Sequence, residues 1–183
     1  STIGAAIGVP SNGWHHYAFS FLSNSAGTLL NFFYDGNLTE QHQISTGFGR
    51  VTGSLISSIG SLIDSVSGFS STTKGWGQFS GSIDDFRYWK YQRPADLIKL
   101  NYFKGIDGGT NTDDDSYQLG FYYKFNEGIT QTASVDSVVL DYSGRISNGT
   151  WTGYNTGSRN TGSAITLSGV ETEVGDPIVR SNH

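Results

Sequence analysis

The chain has no cysteine and no methionine, only three prolines, and glutamate at just four positions, Glu40, Glu127, Glu171 and Glu173. Without cysteine there is no disulfide, no thiolate nucleophile and no Cys-built zinc site. Scarce glutamate and absent methionine remove much of the helix-forming vocabulary. Eleven Lys and Arg stand against sixteen Asp and Glu, a formal charge of −5 with a pI near 5.2. That balance offers no basic patch of the kind that releases counterions, so nucleic acid is not an expected partner. No apolar run approaches the roughly 20 residues that span a bilayer. The opening "STIGAAIGVP" also lacks the basic start and apolar length of a secretory signal. A membrane is therefore not an expected partner either. The missing initial Met and the unpunctuated end "DPIVRSNH" read as cuts through a longer polypeptide.

What is abundant is glycine and aromatic residues: 25 Gly, 11 Phe, 10 Tyr and 4 Trp in 183 residues. Aromatics interleaved with Gly, Ser, Thr and Asn suit an all-β protein of short strands and tight turns, in a chain long enough for one real core. In "GWHHYAFSF" the large residues Tyr17, Phe19 and Phe21 alternate with Ala18, Ser20 and Leu22. That period of two predicts a strand with its rings toward the core. His15 and His16, adjacent on the strand, are expected to point to opposite faces and so cannot jointly grip one ion. Half-buried imidazoles at a strand end are the expected outcome.

Further along, Asp35-Gly36 sits between apolar runs and predicts a tight hairpin, since both residues tolerate positive φ. "GSLISSIGSLI" reads as a short strand, and "SVSGFSSTTKGWG" as a loop. "QFSGSIDDFRYWKYQ" alternates with a slip at Asp84–Asp85, where a β-bulge is expected. Phe79, Ile83, Phe86 and Trp89 are its core candidates, with Arg87 paired to Asp84 or Asp85. Pro94 opens one short helix over 94–103, proline being suited to a first helical turn. "LGFYYKFNEG" returns to strand, and "SVVLDYSGRISNGTWTGY" places two short strands around a turn. From Asn155 the chain is polar, with one weak strand at "SAITLSG".

Taken together, "GWHHYAFSF", "LNFFYDGNL", "SSIG", "FSGSIDDFRYWKYQRPADLIKLNYF" and "LGFYYKFNEG…VLDYSGRISNGTW" resemble the laminin-G-like, concanavalin A-like jelly-roll family. The resemblance implies an antiparallel jelly-roll β-sandwich over residues 1–154, short of opening strands at its N-terminal side, with 155–183 as a polar tail or linker. One departure matters. In the family the Trp-His strand follows several opening strands, and a segment like "FNEG…DYSG" usually comes first, whereas here it comes last. Those strands either join the same sandwich or begin a neighbouring one. In style the chain is also similar to glycine-rich modules of virion structural proteins in tailed phages, particularly cyanophages. That implies a virion or cell-surface location and, as partners, other segments or subunits of a larger assembly.

Catalysis finds little support in the residues. The fold family includes glycosidases, which need two carboxylates flanking the scissile bond. No Glu-x-Asp-x-Glu array occurs, and neighbouring Asp84 and Asp85 would face opposite ways on a strand. No Gly-x-Ser-x-Gly elbow is present. Asp113–Asp115 read as solvated loop charge or a loose cation site. The expected function is thus a non-catalytic structural or interaction module. The alternative is a carbohydrate-binding, lectin-like module stacking sugars on Trp76, Trp151 and Tyr154. By resemblance, a Ca²⁺ ion at the sandwich rim would use Asp141 and Asn148, with Asp84 or Glu127 as further ligands. An Asx turn, Asp141 bonding its own loop amides, accounts for the same residue without a metal.

Overall fold

The computed structural model describes residues 4, 13–47, 57–60, 79, 81–106, 113–127 and 130–151. Two compact units divide the chain: Ser1–Phe48 with Asp84–His183, and Gly49–Ile83. In the second, the Phe79 amide donates to the Gly60 carbonyl at 2.8 Å, and Phe79 is more than half exposed rather than in a core. Residues 57–60 are not strand; the rest of the expected "GSLISSIGSLI" strand and the loop carrying Trp76 lie outside the described residues. So do Tyr154, the "SAITLSG" strand and the whole 155–183 tail.

The first unit is built mostly of antiparallel strands, in keeping with the all-β expectation, plus two short helices. Strands β1 (Tyr17–Asn24), β2 (Gly27–Tyr34) and β3 (Asn37–Ile44) form one sheet in that order. The predicted hairpin is there: Asp35 and Gly36 join β2 to β3 with φ of 45° and 74°. Gly36 is required twice over, because a Cβ there would also stand 2.7 Å from the Tyr102 ring. β4 (Phe86–Trp89) is followed by α1 (Ala95–Asn101), which starts after Pro94 as expected and buries Ile98 and Asn101. β5 (Leu119–Tyr123) then pairs antiparallel with β4, so this part of the "LGFYYKFNEG" segment joins the same unit as the "WHH" strand. A single turn, α2 (Ala133–Asp136), precedes β6 (Val138–Val139) and β7 (Gly149–Thr150), the expected pair of short strands around a turn. α2 was not expected; buried Asp136 draws the chain back by accepting from the Thr130 amide at 2.9 Å and its hydroxyl at 2.7 Å. The central cluster is Ile106, Leu119 and Tyr122, with Trp89 against it.

Two expectations need correction. Tyr17, Phe19 and Phe21 do alternate on one face of β1, but their rings are 48%, 52% and 54% exposed, while Ser20 is 5% exposed; on that same face their cross-strand neighbour Phe32 is buried. The opposite face carries a hydrogen-bonded row instead. Asn31 Nδ2 donates to Ser20 Oγ at 3.2 Å and Gln41 Nε2 donates to Asn31 Oδ1 at 2.8 Å, with Phe33 buried alongside. A period of two shows that two faces differ and not which one the fold covers. The second concerns Asp84–Asp85, which precede the strand rather than bulge from it. Asp85 has φ of 52°, β4 starts at Phe86, and the ladder shifts register between Tyr88 and Trp89.

Candidate functional site

Three distant pieces of sequence meet at one pocket. The expectation that His15 and His16 face opposite ways is corrected: the "WHH" residues lie just before β1, so strand alternation does not govern them, and both imidazoles line the same pocket. Asp35, held by the hairpin, organises them. One carboxylate oxygen pairs with His15 Nδ1 at 2.9 Å, and the other accepts the His16 amide at 2.8 Å. The Asp35 amide in turn donates to the His16 carbonyl at 2.9 Å. Beside them stand Trp14 from the same segment, Asp84 and Asp85 from the approach to β4, Arg87 from β4 itself, and Tyr102 and Phe103 from the end of α1, around a pocket of about 70 Å³.

Arg87 is firmly tied. Its guanidinium donates to the carbonyls of Asn101 (3.0 Å) and Lys104 and to the Tyr122 hydroxyl (3.3 Å). It lies 3.6 Å from Asp85, its expected acidic partner, and 4.8 Å above the Tyr122 ring. The Tyr122 hydroxyl donates to Asp85, and burial, with Asp85 helping, pushes the phenol pKa well up against the opposing pull of Arg87. His16 is held neutral: burial first and the Arg87 charge second lower its pKa to about 4, against a smaller upward pull from Asp35. Its Nδ1 is buried without a hydrogen-bond partner among the described residues.

The residues proposed for Ca²⁺ divide between two places. Asp84 lines the pocket, its Oδ1 accepting the Asp85 amide at 3.0 Å. Asp141, Asn148 and Glu127 come together at the turn between β6 and β7. Asp141 Oδ1 accepts the amides of Tyr122 (2.9 Å) and Ser143 (2.8 Å), and Oδ2 accepts the Ser143 hydroxyl (2.8 Å) and the Ser147 amide (2.9 Å). Asn148 Oδ1 accepts the Asp141 amide at 2.9 Å, and Glu127 Oε1 accepts the Leu140 amide at 3.0 Å. This arrangement does not fit a calcium shell, which needs six to eight oxygens turned on the ion. Both Asp141 oxygens face N–H and O–H donors. Burial alone would raise the Asp141 pKa, but the Ser143, Tyr122 and Ser147 amides and the Ser143 hydroxyl hold it below the ordinary value. Among the described residues, no group of three or more His, Cys, Asp or Glu is placed to hold a metal ion. Asp113 and Asp114 lie in a turn whose Asp113 carbonyl accepts the Ser116 amide at 3.1 Å and whose Asp114 carbonyl accepts buried Arg93.

Of the three aromatics proposed for sugar stacking, Trp151 alone is described. It is half-buried, edge-on to Phe125 at 6.4 Å, and its amide donates to the Ser137 carbonyl at 2.7 Å. It ends a row that sequence reasoning missed. Along β5 and beyond, Phe121 and Tyr123 are stacked at 5.0 Å, and Tyr123 meets Phe125 at 6.1 Å. From β4, Tyr88 stacks on Phe121 at 5.0 Å and Phe86 at 5.9 Å. The signal was the every-second-residue spacing Phe121, Tyr123, Phe125. No family model matches the chain, and neither does any curated protein or solved structure. Among the described residues no helix is long and apolar enough to cross a membrane.

Proposed function

We propose that the chain is a non-catalytic interaction module, a jelly-roll β-sandwich of the laminin-G-like type, within a larger virion or cell-surface protein. Its partner is the apolar face of a sheet from a neighbouring segment or subunit. The supporting observation is the exposed row Tyr17, Phe19 and Phe21 along β1, flanked on β2 by half-buried Leu30 and Tyr34 and by buried Phe32. In a sandwich such a face packs on a second sheet, and contiguous exposed apolar surface is otherwise a mark of an association site. The test compares the isolated chain with a Tyr17→Thr/Phe19→Thr variant by sedimentation across a concentration series and by binding of an environment-sensitive apolar dye. Self-association and dye binding in the parent, both lost in the variant at unchanged melting temperature, are expected. A monodisperse parent that binds no dye would overturn the reading.

A lectin-like reading draws on the aromatic row that ends at Trp151, since ring faces stack on the C–H faces of sugars. It predicts a change in tryptophan fluorescence with neutral oligosaccharides that disappears in Trp151→Ala. The absence of any change up to tens of millimolar sugar would exclude it.

A further inference from the structure

The pocket is also a seam. On one side lie the Gly13–His16 segment and the Asp35-Gly36 hairpin of the three-stranded sheet; on the other lie the approach to β4 and the end of α1. Gly36 sits under the Tyr102 ring, and the His16 ring meets Tyr102 edge-on at 5.8 Å. Arg87 binds the far side together through the Asn101 and Lys104 carbonyls. The polar group placed in the seam is thus an imidazole whose Nδ1 is buried with no hydrogen-bond partner among the described residues, beside a fixed guanidinium.

We infer that His16 makes this seam an acid-sensitive latch, closed while the imidazole is neutral and parting when it takes a proton. The groups around it set the balance. From its own segment comes His15, already paired with Asp35; from the hairpin, Asp35 itself; from the approach to β4, Asp84 and Asp85; from β4, Arg87; from the end of α1, the Tyr102 ring. Asp85 is drawn to Arg87 and Tyr122, and Asp35 spends its two oxygens on His15 and the His16 amide. Asp84 turns Oδ1 on the Asp85 amide, so a proton on Nδ1 enters a place where that nitrogen has no hydrogen-bond partner among the described residues and a like charge, Arg87, lies beside it. Opening lets water solvate the imidazolium. The His16→Gln variant separates this residue's contribution from that of every other group in the seam.

The sign follows from the depressed folded value. The closed form binds the proton less well than the open form, so the seam is fully stable above about 6.5 and weakens as pH falls toward about 4. The experiment is hydrogen exchange of the 183-residue chain at pH 7.5 and 5.0, read as protection factors around residues 14–16, 35–36 and 102–104. The expected loss is about thirtyfold in the parent across that interval and little change in His16→Gln. Equal pH dependence in the two proteins, or a flat parent, would overturn the inference. Should His16→Gln not fold, the imidazole is titrated directly in the parent by proton NMR. A His16 midpoint well below 6 supports the latch, and one at or above the ordinary imidazole value removes it.

Discussion

The three-stranded sheet and the β4–β5 pair bury polar groups in different ways. In the sheet one face holds a neutral row, buried Ser20 and Asn31 with exposed Gln41, joined by two hydrogen bonds. In the β4–β5 pair it holds a charged set, Arg87, Asp85 and Tyr122, whose members also lean on two backbone carbonyls. Both pairings present rings on the opposite face. The contrast shows what each solution risks. A neutral amide row broken at one member leaves dipoles unpaired, whereas a charged set broken at one member leaves an ion in a low-dielectric place. Local disruption should therefore be worse in β4–β5, although its strands are shorter.

The largest effect is expected at Arg87. Arg87→Ala removes the donor to Asn101, Lys104 and Tyr122 and leaves Asp85 without its cation, so a loss of about 3–5 kcal/mol is expected in denaturant unfolding. The comparison sharpens if Arg87→Met is combined with Asp85→Leu. With both charges gone and volume kept, the double variant should recover much of the loss, and a double variant as unstable as Arg87→Ala would show that the hydrogen bonds to Asn101 and Lys104 dominate instead.

Next comes Asp141, a charged group solved differently again, by four neutral donors. Asp141→Ala should cost about 2 kcal/mol as the amides of Tyr122 and Ser147 lose their acceptor. Because its folded pKa is depressed, its contribution is present above the ordinary carboxylate range and is lost as pH falls through the folded value. Acid unfolding of Asp141→Ala should accordingly be less pH-dependent below pH 4 than that of the parent. Adding Ca²⁺ at neutral pH should leave the melting temperature of both unchanged. Stabilisation by Ca²⁺ in the parent that vanishes in Asp141→Ala would show that the turn re-forms around an ion.

At the neutral row, Asn31→Ala should cost about 1–2 kcal/mol, with no pH dependence between 5 and 8, since nothing in the row titrates. A cost equal to that at Arg87 would erase the distinction between the two sheets.

Whatever is local in these regions could be read from the chain. Asp35-Gly36 forms its hairpin because two adjacent residues accept positive φ, and Pro94 starts α1 by its own ring. The Asx turn at Asp141 could be anticipated from Ser143 and the Gly144 turn, though the Tyr122 amide, which comes from β5, could not. The pocket was illegible for the same reason. His16 acquires its environment from residues 84–87 and 102–103, brought by topology that no local pattern encodes. The open face of β1 was misread because ring size signals a preference for burial, while burial also needs a covering surface. The Arg87–Asp85 pair was legible because its members lie two residues apart.

The smallest effect tests the exposed rather than the buried side of β4–β5. Tyr88 is half exposed, stacks on Phe121 and lies across Gly120, where a Cβ would come within 2.7 Å of its ring and 3.2 Å of its carbonyl oxygen. Tyr88→Ala gives up one partly solvated stacking contact and should cost less than about 1 kcal/mol. Gly120→Ala should cost about 1 kcal/mol, because the ring must slide off the strand to admit the methyl group. In the Tyr88→Ala background the ring conflict is gone and only the tight approach to the carbonyl persists, so the second substitution should be milder there. The double-mutant cycle isolates that difference as a coupling between the two positions. Strict additivity would mean that Tyr88 rotates into solvent freely, and the row leading to Trp151 would then lack the fixed ring that its β4 end requires.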